Sequence, residues 1–472
     1  VIDTQEIRKK ILSLALTGKL VEQNSSDTPA HQLVESLSGS LNNHPFENDI
    51  SAQEIPYEIP DSWVWCRLSD IGTTNIGLTY HPQDVAEDGT IVIRSSNIIK
   101  GKMDYADLVK VKCQIRENQY LKRNDIVICA RNGSKALVGK CAIYEGDSDV
   151  ISFGAFMAIF RTPFFQYAYL YFNSPVFRRN FSNDDSKQIN QVTQNILKNS
   201  LIPIPPEEEQ KRITDKINSV FSFLDTIDTL QSQYQENLAT LKSKIIDAGI
   251  QGKLTEQLPE DGTAEELYQQ IQREKLALEK AGKIKKSKPF PPISDEEKPF
   301  DIPDNWKWVR LADVYEINPK VNADDNINAA FIPMERISAG FDRSFSYVVQ
   351  KWSEASKNHT RFCDGDVAFA KISPCFENRK SFVVENLPNS LGGGTTELII
   401  LRQKLIDPLF TYYLILDERF IRLGLSTYKG TVGQQRIKND VMFAYVFPLP
   451  PLAEQKRIVA KLEELLPLCE GK

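Results

Sequence analysis

The sequence predicts an α+β protein with two similar lobes, separated by long antiparallel coiled-coil helices and arranged as a pseudo-twofold circular repeat. Two motif pairs recurring at nearly one offset, a third pair that closes the repeat, and one long stretch of heptad-spaced apolar residues predict it. A chain of 472 residues exceeds what one core holds comfortably and fits two lobes with their connectors.

The repeat is the first of these. IPDSWVWCRLSDI at residues 59–71 returns as IPDNWKWVRLADV at 302–314, and PIPPEEEQKRITDKI at 203–217 returns as PLPPLAEQKRIVAKL at 448–462, with offsets of 243 and 245. Between them, KRNDIVICARNGS around Asp125 is echoed in pattern by CDGDVAFAKISPC around Asp366, each a turn followed by an alternating strand. The third match, IRKKILSLALTGKLVEQ at 7–23 with LKSKIIDAGIQGKLTEQ at 241–257, has an offset of 234. The N-terminal segment thus matches the far half of the central connector, and the C-terminal segment its near half. Connector, lobe, connector, lobe is a closed ring.

The connector comes next. From Glu207 to Ile250 there is no proline and no glycine before Gly249, and Pro205 and Pro206 stand where a helix start tolerates them. Its apolar residues step by four and three: Ile213, Ile217, Val220, Leu224, Ile227, Tyr234, Leu238, Leu241 and Ile245, broken only by Gln231. Ile458, Leu462, Leu465 and Cys469 continue the register in the second copy, so the two helices are expected to pair side by side. At ~1.5 Å per residue the helix is about 65 Å long, longer than a small domain is wide. A plain amphipathic helix on a core is the alternative. A second helical stretch at 263–281 runs into a basic, proline-containing segment at 283–292 that reads as a solvated linker.

Each lobe mixes short strands (TIVIR at Thr90, VISFGAFMAIFR at Val150, SFVVE at Ser381, ELIILR at Glu397) with aromatic-rich helices at 164–173 and 410–420. Their aromatic residues, and Trp63, Trp65, Trp306 and Trp308, read as core rather than as platforms for stacked bases. The partition is then 1–23 N-terminal helical segment, 24–56 connector, 57–204 first lobe, 205–299 central helical region and linker, 300–447 second lobe, and 448–472 C-terminal helix.

Composition excludes several classes. Hydrophobic content of 41% with 25% charged residues is that of an ordinary globular chain, and no apolar run approaches a membrane span. Val1 opens a segment without a secretory pattern, and seven cysteines without a CxxC read as reduced thiols, so a cytoplasmic location is expected. His31, His44, His81 and His359 form no metal or catalytic pattern, and no GxxxxGK[ST] is present. Gly392 to Gly394 reads as a loop beside a strand. Asp366 with Lys371 lacks the second carboxylate of a nuclease site. No catalytic residue and no metal site are expected.

What remains are polar and basic residues suited to DNA. Arg131, Asn132, Ser134 and Lys135 follow one strand, and Lys371, Ser373, Arg379 and Lys380 surround the equivalent loop. Arg94, Ser95 and Asn97, then Lys187, Gln188 and Gln191, then Lys429, Gln434, Gln435 and Arg436 add similar chemistry. Arginine and lysine meet guanine or phosphate, and asparagine or glutamine pairs with adenine. The formal charge of −6 averages over faces that meet different partners and leaves room for a basic concave face.

With these features the chain resembles the specificity subunit of type I restriction-modification systems: two target-recognition lobes, each closed by a PxPPxxEQKRI segment running into a long helix. The most specific parts are residues 203–217 and 448–462, the GKL segments at Gly18 and Gly252, and the tryptophan-containing lobe starts. The GDVAFAK strand from Gly365 also resembles that family, although the first lobe has Asn124 where glycine is usual. The resemblance implies that each lobe reads one half of a split double-stranded DNA site while the helices set the gap. It further implies two methyltransferase subunits as partners, with S-adenosylmethionine bound by them and no cofactor in this chain, and a restriction/translocase subunit as a further partner. A non-DNA coiled-coil scaffold with two protein-binding lobes is the rival. The second helix ends early at Lys472, so the segment from Ile7 supplies the missing half or the chain is truncated.

Overall fold

The computed structural model describes residues 1–42, 46, 49–146, 150–182, 191–284, 289–431 and 433–470. They form two compact units, Val1–Gln231 and Ser232–Lys472, and the boundary falls inside one continuous helix. That helix, α2 (Glu207–Ile250), follows α1 (Thr4–Leu16) and precedes α3 (Leu452–Leu465).

The first half of α2 pairs with α1. Leu12, Ala15 and Leu16 share a buried core with Ile213 and Ile217. Further along, Arg8 bonds Asp225 at 2.7 Å, Thr4 donates to Asp228 at 2.6 Å, and the Ile2 amide reaches Gln231 at 2.6 Å. As numbers rise on α2 they fall on α1, so the two helices are antiparallel. In the second unit the end of α2 pairs with α3. Ile246 and Ile250 join Ile458 and Leu462 in one core, Gly249 leaves the space that Ile458 and Leu462 approach, and Lys242 reaches Glu470 at 3.5 Å.

The two EQKRI helices do pack side by side, as expected, but not along their whole length. α3 meets the far half of α2, and the partner of the near half is α1. The heptad stripe divides accordingly. Ile213, Ile217 and Leu224 are buried, Val220, Ile227, Leu238 and Ile245 are half-buried, and Tyr234 and Leu241 are exposed. Between Gln231, which the Ile2 amide reaches, and Lys242, which Glu470 reaches, the residues of α2 are exposed apart from the half-buried Leu238. On α3, Ile458 and Leu462 are buried and Leu465 is half-buried.

Each lobe begins and ends in the same two-stranded ribbon. In the first lobe, with strands β1 (Val64–Arg67), β2 (Ile126–Cys129), β3 (Met157–Arg161) and β4 (Leu201–Ile204), β1 pairs antiparallel with β4. In the second, with β5 (Lys307–Arg310), β6 (Val367–Ala370), β7 (Leu391–Gly394), β8 (Leu398–Arg402) and β9 (Val446–Leu449), β5 pairs with β9. Trp65 faces Pro203 and Trp308 faces Pro448 in identical register. Proline donates no ladder hydrogen bond, and a two-stranded ribbon needs none on its outer side.

Inside each lobe lie a four-stranded antiparallel sheet and a mixed sheet. The first has the order Thr73–Ile76, β3, β2, Cys141–Ile143 in one lobe and Glu316–Ile317, β8, β6, Ser381–Val383 in the other. In the mixed sheets Val85–Ile93 runs parallel to Ile151–Phe153, as Asn328–Ile332 does to β7. Gly392 to Gly394 are therefore strand β7 itself, not a loop beside a strand. A side chain on Gly393 would collide with the backbone carbonyl of Ala355, so a second chain segment crosses the strand there. The aromatic stretch at 164–173 is the helix Phe165–Phe172, whereas 410–420 splits into Pro408–Leu416 and Glu418–Ser426. Asp417 causes the break, since its carboxylate accepts the Arg419 amide and caps the second helix.

The repeated motifs converge on one lock per unit. Glu209, fully buried, accepts from the Trp63 indole at 2.9 Å and the Gln23 amide at 2.6 Å; Glu454 accepts from Trp306 at 2.8 Å and Gln257 at 2.8 Å. Gln210 and Gln455 donate to the carbonyls of Pro205 and Pro450, while Arg212 and Arg457 pair with Asp27 and Asp261 at 2.6 Å. Gly18 and Gly252 adopt φ of 68° and 73° against Pro60 and Pro303. Trp63 and Trp306 are thus core residues with a polar task, whereas Trp65 is buried edge-on to Tyr57 and Trp308 is half-buried against Phe300. The linker also differs from expectation at its end, where the Phe290 ring and the Pro291 carbonyl hold Arg310. Trp63→Phe leaves one Glu209 oxygen buried without its donor, and is expected to destabilise the first unit by about 1–3 kcal/mol. Chemical denaturation measures it, and an unchanged midpoint would refute this role for the indole.

Candidate DNA interface

Both lobes end their central strand, β2 or β6, in the same local construction. The amides of Ala130 and Lys371 donate to the carbonyls of Phe156 and Glu397, at 2.9 and 2.8 Å. Their own carbonyls accept from Val192 and Ile437, at 2.9 and 3.1 Å. The next residues form isolated bridges, Arg131 with Gln191 and Ile372 with Arg436. Positions 131, 156 and 191 therefore correspond to 372, 397 and 436. Backbone hydrogen bonds mount each tip on rigid sheet ends, which holds its side chains more firmly than an open loop does.

The side chains on these tips differ. In the first lobe the Arg131 guanidinium lies 5.7 Å from the centre of the Phe156 ring, which is 61% exposed. Asn132 donates to Ser95 at 3.0 Å and accepts the Ser134 amide at 2.9 Å, so Arg131, Asn132, Ser134 and Ser95 form one group with Gln191 beside it. Lys135 is exposed on the same loop, and Lys187 and Gln188 lie outside the described residues. In the second lobe Arg436 grips Glu397 through two hydrogen bonds, at 2.9 and 2.8 Å, and the Ser373 amide donates to the Gln435 carbonyl at 2.8 Å. Lys429 exchanges both backbone hydrogen bonds with Arg436, and Gln434 is exposed between them. The Arg436 guanidinium, with Lys371 nearby, holds the Glu397 carboxyl below the usual glutamate range, so it stays ionised at neutral pH.

Several of the expected residues make contacts within their own lobe. Asn97 is 1% exposed, and its amide closes a turn onto the Arg94 amide and the carbonyls of Asp104 and Asp107. Arg94 pairs with Asp107 at 2.8 Å. Arg379 pairs with Glu418 and lies over Phe341. Lys380 donates to the Met334 carbonyl at 2.8 Å, as Lys140 does to Ile98 at 3.0 Å, which marks it as part of the framework. The Ser373 hydroxyl donates to Glu377 at 2.9 Å. Asp366 is bonded twice to Arg402 at 2.6 Å, as Asp125 is to Arg161, which is a structural use of the carboxylate. Among the described residues no group of three His, Cys, Asp or Glu side chains is placed to hold a metal ion, and no helix is long and apolar enough to cross a membrane.

Phe156 and Glu397 carry no DNA-binding signal in the sequence, because an apolar and an acidic residue are not typical of a DNA surface. Their common place, directly before β3 and β8, is the signal that strand-by-strand comparison of the lobes provides.

Two α+β lobes share one set of framework contacts, carry unlike polar tips and make this a duplicated α+β protein. The model of the type I restriction modification DNA specificity domain matches residues 60–235 and again 303–469. The chain belongs to this family. It is 43% identical over 234 residues to the type I restriction enzyme EcoAI specificity subunit of Escherichia coli, a match covering 49% of this chain and 40% of that protein. With the EcoEI specificity subunit it is 40% identical over 234 residues, covering 49% and 39%. These matches span about two fifths of the relatives' length. A longer match, 24% identical over 428 residues, covers 86% of this chain and 83% of the EcoKI specificity subunit of E. coli K12. The fold is shared with a chain from a solved structure on complex assembly and conformational transition of the type I R-M system, with a TM-score of 0.56, 17% identity, and coverage of 88% and 92%.

Proposed function

We propose that the chain is the DNA sequence-specificity subunit of a type I restriction-modification complex, with each lobe reading one half of a bipartite duplex site. The observation that carries this reading is the contrast between constant and variable parts: the Glu–Trp–Gln lock, the buried Asp–Arg pair and the backbone bonds that mount the tips recur in both lobes, while the tip residues differ. Such a contrast suits two readers of unlike base sequence. The chain itself supplies no catalytic group. Two methyltransferase subunits dock on it, bind S-adenosylmethionine and act on an adenine in each half-site, with a restriction/translocase subunit joining them in the cytoplasm.

The test uses the purified chain alone and with its methyltransferase subunits. Alone it neither methylates nor cuts DNA. Together they bind duplex containing the split site, with affinity that falls steeply as salt rises, and methylate it. Methylation or cleavage by the chain alone would overturn the division of labour. Absence of sequence-dependent duplex binding with the partners present would favour a protein-binding scaffold.

A further inference from the structure

The guanidinium of Arg436 meets Glu397 side-on. Nε donates to one carboxylate oxygen at 2.9 Å and Nη2 to the other at 2.8 Å. This uses the edge formed by Nε and Nη2 and leaves the end-on edge, formed by the outer N–H groups of Nη1 and Nη2, outside the ion pair. A contact from Nη1 to the Gln434 carbonyl at 3.3 Å holds the plane from a second direction. The backbone beneath is fixed as well, by the paired hydrogen bonds with Lys429 and the bridge to Ile372.

The Arg436 side chain is 48% exposed and that of Glu397 is 21% exposed. An ion pair this open to water contributes little to stability, so its main effect is to orient the arginine before anything binds. It also makes a poor phosphate anchor, because the carboxylate cancels the charge that a phosphate would seek. A planar fork held by its side, with its Nη1–Nη2 end outside the ion pair, matches the two acceptors that guanine presents in the major groove.

Resting on the reading of the chain as a bipartite DNA reader, we propose that Arg436, oriented by Glu397, reads a guanine in the half-site of the second lobe, donating end-on to O6 and N7. The first lobe has Gln191 and Phe156 at the corresponding positions, so it has no such fork there. The two half-sites therefore differ in how this base pair is recognised.

The test is the full chain assembled with its methyltransferase subunits, with methylated adenines mapped across a randomised site library. The wild-type complex is expected to require guanine at one fixed position of one half-site. Arg436→Ala should relax that position, losing discrimination by roughly ten- to a hundredfold. The other half-site stays unchanged and reports that the complex has assembled. Arg436→Lys, which keeps the charge without the fork, should behave like the alanine variant, and Glu397→Gln should weaken discrimination in part. Retention of the guanine requirement in Arg436→Ala, relaxation at a base pair other than G·C, or an equal loss on all sequences with a shallower salt dependence would each sink the proposal. If the wild-type complex methylates no split motif, the bipartite reading fails and this proposal falls with it. A split motif indifferent to Arg436 overturns this proposal alone.

Discussion

Asp366→Ala is expected to destabilise the second unit by about 3–5 kcal/mol, read as an earlier melting transition in calorimetry. Asp366 is 1% exposed and accepts three hydrogen bonds, two from Arg402 at 2.6 Å and one from the Cys363 amide at 2.8 Å. Alanine removes them together, leaving a cation and an amide without their partner. The Arg402 side chain keeps 23% exposure and can turn toward water, which places the loss near the lower end of that range. Asp366→Asn retains an acceptor for the Cys363 amide and should lose less. The first unit repeats the arrangement with Asp125 and Arg161, so Asp125→Ala should lower the transition of that unit by a similar amount. A loss below about 1 kcal/mol in both variants would show that the pairs matter less than their burial implies.

The second large effect concerns α2. Residues 233–239 lie beyond the contacts of α1 and before those of α3, and all but Leu238 are exposed. Removing this heptad takes out two helical turns, roughly 10 Å, while leaving both locks intact. If the helix sets the gap, the spacer of the recognised site should shorten by about three base pairs at ~3.4 Å per step, with both half-sites unchanged. Mapping methylated adenines in cells carrying the complex reads both quantities at once. An unchanged spacer, or altered half-sites, would show that spacing is set elsewhere.

The framework was legible because its parts are repeated words. IPDxW, GKL with the following glutamine, and EQKRI each appear twice, and in each unit they are the components of one lock. That Gln23 would meet Glu209, or Gln257 Glu454, is a long-range pairing that no local pattern encodes. The aromatic run at 410–420 was read through Asp417, although a carboxylate amid apolar residues is a cap signal. At the tips, residue chemistry points to Arg131, Asn132 and Arg436, and the fold places them at the mounted strand ends. The same chemistry points to Asn97, Arg379 and Lys380, whose polar groups satisfy backbone and carboxylate partners. Residue type alone does not separate a polar group that faces solvent from one that closes a turn.

The glycines of β7 bear on how specificity can be rewritten. Because the Ala355 carbonyl lies where a side chain on Gly393 would be, that strand fits only the segment that crosses it, and a graft carrying one without the other inserts a clash into the sheet. The tips have no such dependence, since both are mounted through the same backbone bonds. If the tips read DNA as proposed, new specificity is reached with less disturbance to the fold by exchanging side chains at 131, 156, 191 and 372, 397, 436 than by transplanting strands.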